Sequence, residues 1–242
     1  MHYRRGIPMK RFIGLVLISA FLFAGSGALN KAQATGGGQL LTGILSKMQA
    51  AHRNLHSLRA SMVQQRRNPQ IGSTETDYGT LIYKPGAKGK GKLRVDYTKP
   101  DQKSVSVIGE SLTFYQPRIN QVLKTTIARA SKGKTGSYSA LIGLDGSLET
   151  LTRDYNVDYL KDELVNGKMA TVLQLVPKTG GPFNKIELWV SNDFWLPVQY
   201  RMFEPNGDST LVKFSSMEIN PNISDSAFNV SIPSGTKIVD KI

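Results

Sequence analysis

Cysteine is absent from the chain. No disulfide can staple the fold, no thiolate can attack a substrate or hold zinc or an iron–sulfur cluster, and no cysteine is available for lipid attachment. Histidine is scarce too, with only His2, His52 and His56. The last two are four apart and could share one helical turn. No H-E-x-x-H pattern or third ligand accompanies them, so a metal is not expected. A Ser-His-Asp site would have to draw on the same two residues, and no G-x-S-x-G turn occurs. Eighteen acidic residues offer many carboxylate pairs of the kind glycosidases use, yet nothing singles one out. No residue pattern points to an enzyme, a metal or a cofactor.

Acidic residues are missing altogether from the first 34 positions, which hold Arg4, Arg5, Lys10, Arg11 and Lys31. Five of the +13 net charges therefore sit there, and the rest of the chain is less basic than the total suggests. Long hydrophobic runs are lacking as well. The one candidate, Phe12 to Phe23, is too short to span a hydrocarbon core of about 30 Å. A basic start, this short apolar run and Ala32-Gln33-Ala34 predict a secretory signal peptide over 1–34 that is cleaved. Residues 35–242 then form one domain outside the cytoplasm. Export makes nucleic acid a poor partner, and the alternation of aromatic and basic residues in RVDY (94–97) and QYRMF (199–203) fits strands with one apolar and one charged face.

Residues 86–93 read GAKGKGKL, which matches the phosphate-binding pattern G-x-x-x-x-G-K but places Leu93 where Ser or Thr should hold magnesium. Such a loop must run from a strand into a helix whose amino end meets the anion. Here the flanks are both strand-like: Pro85 closes DYGTLIYK and KLRVDYT begins at once. The stretch is predicted to be a lysine-rich hairpin loop, poised in solvent or against a membrane.

What is present in quantity is period-two alternation. Runs rich in Val, Tyr, Phe, Thr and Leu recur at 60–67, 77–84, 92–98, 103–109, 111–116, 119–126, 155–164, 169–177, 185–191, 196–204 and 210–219, joined by turns too short for parallel crossovers. A last short strand is predicted around Phe228 to Ile232. Before them, Leu41, Ile44, Leu45, Met48 and Leu55 fall on one face of a helix over about 39–56. Between 128 and 152 the alternation lapses into ARASKGKTGS and then into YSALIGLDGSLETLTRDY, predicted as one or two short helices. About eleven or twelve strands predict a curved antiparallel sheet, closed or nearly so, with helices over its mouth. A sheet that large encloses a space. The pattern leaves open whether that space receives a lipid or is packed by the protein's own side chains.

The run from Gly79 through Val122 closely resembles the periplasmic outer-membrane lipoprotein carrier family, LolA. Lys84-Pro85, Leu93-Arg94-Val95-Asp96-Tyr97, Pro100, Tyr115-Gln116-Pro117 and Gln121-Val122 agree in order and spacing, and the similarity runs on through 138–152 to PSGTKIVD (233–240). The resemblance implies an unclosed antiparallel barrel of about eleven strands, mainly β, with a helical lid over a hydrophobic cavity. That cavity would take the acyl chains of lipoproteins, with no cofactor, no metal and no bond chemistry. Cavity residues are expected to be Leu45 and Met48 of the helix, Ile82, Leu93, Val95, Tyr97 and Phe114 of the strands, and Leu141 and Ile142 of the insertion. Where the family has an Arg that latches the lid, this chain has Lys84, facing Gly143; a lysine lacks the planar fork of donors, so its latch should be weaker. The implied partners are an inner-membrane lipoprotein-releasing transporter and an outer-membrane acceptor, with the protein a monomer in the periplasm. Related readings are a carrier of another lipid and a periplasmic sensor or regulatory module that detects lipoproteins.

Overall fold

The computed structural model describes residues 36–86, 90–130 and 148–239. The expected signal peptide and the expected lid residues Leu141, Ile142 and Gly143 lie outside them. Helix α1 (Gly36–Arg53) buries Ile44, Leu45 and Met48 on one side and exposes Lys47 on the other, as positions one and four apart require. It ends earlier than the sequence predicts, for a tertiary reason. The Asn220 side chain accepts the His56 N–H at 2.7 Å and the Ser57 N–H at 3.3 Å, and donates to the Asn54 carbonyl at 3.0 Å. Groups that another helical turn would have satisfied are met from the far end of the chain. His56 therefore lies off the helix, and the two histidines share no turn.

Twelve strands follow: β1 (Leu58–Asn68), β2 (Ser73–Lys84), β3 (Lys92–Lys99), β4 (Lys103–Ile108), β5 (Ser111–Gln116), β6 (Gln121–Thr126), β7 (Tyr155–Val165), β8 (Lys168–Pro177), β9 (Lys185–Ser191), β10 (Pro197–Phe203), β11 (Ser209–Ile219) and β12 (Lys237–Val239). Short helices α2 (Ile127–Ala130) and α3 (Leu148–Asp154) flank the break between the two strand groups. The strands make a single sheet in the order β12-β6-β5-β4-β3-β2-β1-β11-β10-β9-β8-β7. Two hairpin meanders, β1 to β6 and β7 to β11, are joined by the antiparallel β1–β11 pair, whose register runs from Leu58↔Ile219 to Arg67↔Ser209. The outer strands β7 and β12 do not pair with each other among the described residues. The fold is a large, mainly β, unclosed sheet with few helices.

The final strand is not where the alternation predicts it. Asp225–Phe228 forms a 3-10 turn, and the strand is Lys237–Val239, parallel to β6. Pro233 and Gly235, the latter at φ +81, interrupt extended structure before it, and Asn120 holds the join by accepting the Lys237 N–H at 3.0 Å.

The GAKGKGK stretch lies between paired strand ends, Lys84 opposite Lys92, and is a hairpin connection. A Cβ on Gly86 would lie 2.1 Å from the Lys90 carbonyl oxygen, and one on Gly91 2.8 Å from that of Lys84. These glycines answer to close backbone approach, not to a phosphate.

Candidate functional site

One face of the sheet, here called inner, carries a continuous apolar cluster capped by α1. Its geometry follows from register. Ala60, Leu81, Val95, Val105, Phe114 and Leu123 stand directly opposite one another across six neighbouring strands, so one apolar row crosses β1 to β6. Leu93 and Tyr97 flank Val95 on the same side of β3, and all three are buried. Leu45 and Met48 of α1 belong to the same cluster, as do Leu173, Leu175, Ile186, Leu188, Val212 and Phe214 from the second meander. Among the expected cavity residues the structure thus brings together Leu45, Met48, Leu93, Val95, Tyr97 and Phe114.

One expectation requires correction, and a second residue has partners the sequence did not suggest. Ile82 stands opposite Arg94 on β3 and Arg59 on β1, on the outer face; its neighbours Leu81 and Tyr83 point inward and are buried. Lys84 shares that outer face. Its ammonium pairs with Asp225 of the 3-10 turn at 3.0 Å, and Lys92 meets the other oxygen of the same carboxylate at 2.7 Å. Lys92 first, then Lys84, hold the Asp225 carboxyl below its ordinary range by hydrogen bonding. Arg94 donates to the carbonyls of Ala227 and Asn229 at 3.0 and 2.7 Å, and Ser106 donates to that of Phe228 at 2.6 Å. The basic side of β3 therefore clamps the C-terminal segment to the outer face, and Lys84 is part of that clamp; the residues of its expected latch contact lie outside the described ones.

The inner face turns polar at one end. The Tyr97 hydroxyl donates to Gln64 at 3.0 Å, and Lys103 sits 4.6 Å from the Tyr97 ring centre. Asp77 is buried and pairs with Lys103 at 2.8 Å and Arg66 at 2.9 Å, so its charge is compensated where water is excluded. Burial, reinforced by Tyr200 and Asp77, pushes the Tyr97 phenol well above its ordinary value; burial does the same to Tyr200. Both phenols keep their protons at neutral pH, and their hydroxyls give this end of the face a hydrogen-bonding character. Among the described residues there is no group of three or more His, Asp or Glu that could hold a metal ion, and no helix long and apolar enough to cross a membrane.

Sequence reasoning missed Leu81, Tyr83, Asp77 and the whole contribution of β8, β9 and β11 to this face. The signal for the last was present in the buried runs TVLQLV and IELWV; what alternation alone does not give is that β11 pairs with β1 and so joins them to the first meander.

Similar proteins agree with this architecture. An outer-membrane lipoprotein carrier protein of Dechloromonas aromatica is 29% identical over 150 residues, which are 62% of this chain and 66% of the carrier. An uncharacterized protein of Methanocaldococcus jannaschii is 23% identical over 198 residues, 81% of this chain. The chain spans about half the length of that relative, 52%. The crystal structure of MucB superposes with a TM-score of 0.52 at 15% identity, over 81% of this chain and 64% of MucB, a likeness of fold. The model of the outer membrane lipoprotein carrier protein LolA matches residues 53–231, from the end of α1 past the 3-10 turn, and the chain belongs to that family.

Proposed function

We propose that this protein is a periplasmic carrier that takes up the acyl chains of lipoproteins on its inner face, between the sheet and α1. It would receive them from an inner-membrane releasing transporter and pass them to an outer-membrane acceptor. The observation that carries the reading is the uninterrupted apolar row from Ala60 to Leu123 under an amphipathic helix, in a chain of the lipoprotein carrier family. Ten methylenes taken from water would gain about 8 kcal/mol at ~0.8 kcal/mol each. A carrier must release what it binds. The contacts of Ile44, Leu45 and Met48 with the strands are lost when a chain displaces α1, and this offsets part of that gain.

The test is to express the chain in a Gram-negative periplasm, purify it without detergent and analyse its extract by mass spectrometry. Triacylated lipoprotein is the expected cargo. It should be lost in Leu93→Glu and retained in Ile82→Glu, which alters the outer face. Because Leu93 is only 1% exposed, Met48→Lys at the helix serves where the deeper change prevents folding. Phospholipid in place of lipoprotein would keep the face and change the cargo. Cargo that binds but never transfers to an acceptor would make the protein a lipid sensor, and a folded protein that is always empty would overturn the reading.

A further inference from the structure

The outer face of β7 to β11 carries a second, separate groove. Register places Lys161, Val172, Trp189, Gln199 and Lys213 opposite one another in one outward row, with Glu187, Arg201 and Leu211 in the next. The pairing of β7 with β8 slips between Tyr159 and Lys161. Leu160 is the extra residue, and the bulged edge strand forms a wall over the two rows. The open groove holds about 420 Å³, within the range of small-molecule sites. Val172 and Trp189, part of a small apolar cluster distinct from the inner core, make its floor; Leu160, Leu164 and Val165 line the wall.

The polar groups of this groove are unevenly matched. Glu163 is paired with Lys161, and Glu187 with Lys185 at 2.9 Å. Both acids are thereby neutralised. Arg201 and Lys213 line the groove with no ion pair or side-chain hydrogen bond among the described residues. Gln199 is 7% exposed, and its amide likewise makes no hydrogen bond among them. Trp189 is 5% exposed, and its indole N–H makes no well-formed hydrogen bond; Lys161 first, then the Trp189 indole and Arg201, favour the charged form of Glu163 and hold its carboxyl below its ordinary range. A buried donor left without an acceptor costs free energy. Two cations and the Gln199 amide thus face a largely polar groove whose acids are both paired and whose one apolar stretch is the Leu160, Leu164 and Val165 wall.

We propose that this groove binds an anionic amphiphile with a single medium-length chain and a carboxylate head. The head lies between Arg201 and Lys213 and accepts from Gln199; the chain runs beneath the β7 bulge along Leu160, Leu164 and Val165. A bare inorganic anion would leave the apolar wall wet, and a neutral alcohol would leave both cations unmatched. The site is independent of the inner face, on the opposite side of the same strands, so it does not depend on the carrier reading.

The chain contains two tryptophans, Trp189 and Trp195, and they report on the two faces separately, since Trp195 packs against the inner cluster. Trp195→Phe leaves Trp189 as the only indole fluorophore. Titrating that variant with decanoate should change Trp189 emission saturably. Decanol, and decanoate at high salt, should each act at least tenfold more weakly. Adding Arg201→Gln or Lys213→Gln should weaken decanoate about tenfold each while leaving the circular dichroism spectrum unchanged. A Trp189 signal that is flat, equally responsive to decanol, or indifferent to both substitutions would overturn the proposal. In the companion Trp189→Phe protein, a decanoate response at Trp195 with none at Trp189 would assign the ligand to the inner face, and would sink the groove while leaving the family function untouched.

Discussion

Asp77 is the side chain whose loss should disturb the molecule most for its size. It is buried between Lys103 and Arg66, so Asp77→Ala strips Lys103, only 13% exposed at its side chain, of its carboxylate, while Arg66 keeps Glu75 at 3.1 Å. Removing one partner of a buried pair costs roughly 3–5 kcal/mol. Tyr97→Phe removes one hydrogen bond, to Gln64, and should cost about 1 kcal/mol. Urea unfolding of the two variants checks the ranking, and a smaller loss for Asp77→Ala would mean that water reaches the cluster. Neither this cluster nor the inward turn of Leu81 and Tyr83 was legible in DYGTLIYK. One alternate set there holds Asp77, Gly79, Leu81 and Tyr83, the other Tyr78, Thr80, Ile82 and Lys84. Each carries an aliphatic residue, a tyrosine and a charge, so period-two reasoning has nothing to choose between them, and the choice of Ile82 followed the wrong set. In KLRVDYT the two sets are unlike, and Leu93, Val95 and Tyr97 could be assigned to the interior directly.

At the scale of the element, two glycines give opposite expectations from their surroundings. Gly43 lies on the exposed side of α1, where an added Cβ would meet nothing within 4 Å. Gly43→Ala should therefore stabilise by up to about 1 kcal/mol through helix propensity alone, read as a rise in Tm. Gly79 sits where the pairing of β2 with β3 slips, and its Cβ would lie 2.4 Å from the Asp96 carbonyl oxygen. Gly79→Ala must push two strands apart and should destabilise by about 2 kcal/mol. If it does not, β3 gives way more easily than its two neighbouring strands suggest. Strand positions were legible to within a few residues because alternation and turn residues are local signals. The end of α1 and the place of β12 were not, because the Asn220 clamp and the parallel pairing with β6 bring together segments more than a hundred residues apart.

For the molecule as a whole, the sheet's size followed from counting strands, and its open form from the family resemblance; the β1–β11 joint that makes one inner face from two meanders is a long-range choice that alternation does not encode. That joined face holds Tyr97, Tyr155 and Tyr200, whose phenols are all raised, and their titration shapes the fold's stability in alkali. Burial, then Asp154, pushes Tyr155, at the start of β7, up to about 12; Tyr97 and Tyr200 are raised as well. A phenol with a raised value holds its proton more tightly folded than unfolded. Its contribution is complete below the ordinary value of about 10 and is lost as pH rises through the folded one. Global stability measured by urea unfolding should thus hold steady to about pH 9 and decline between roughly pH 10 and 12. In Tyr155→Phe there is no such proton to lose, and the decline over that window should be shallower by up to ~2 kcal/mol. Parallel curves for the two proteins would show that the Tyr155 hydroxyl is as well solvated in the fold as in the unfolded chain, and that the junction of α3 with β7 is open to water.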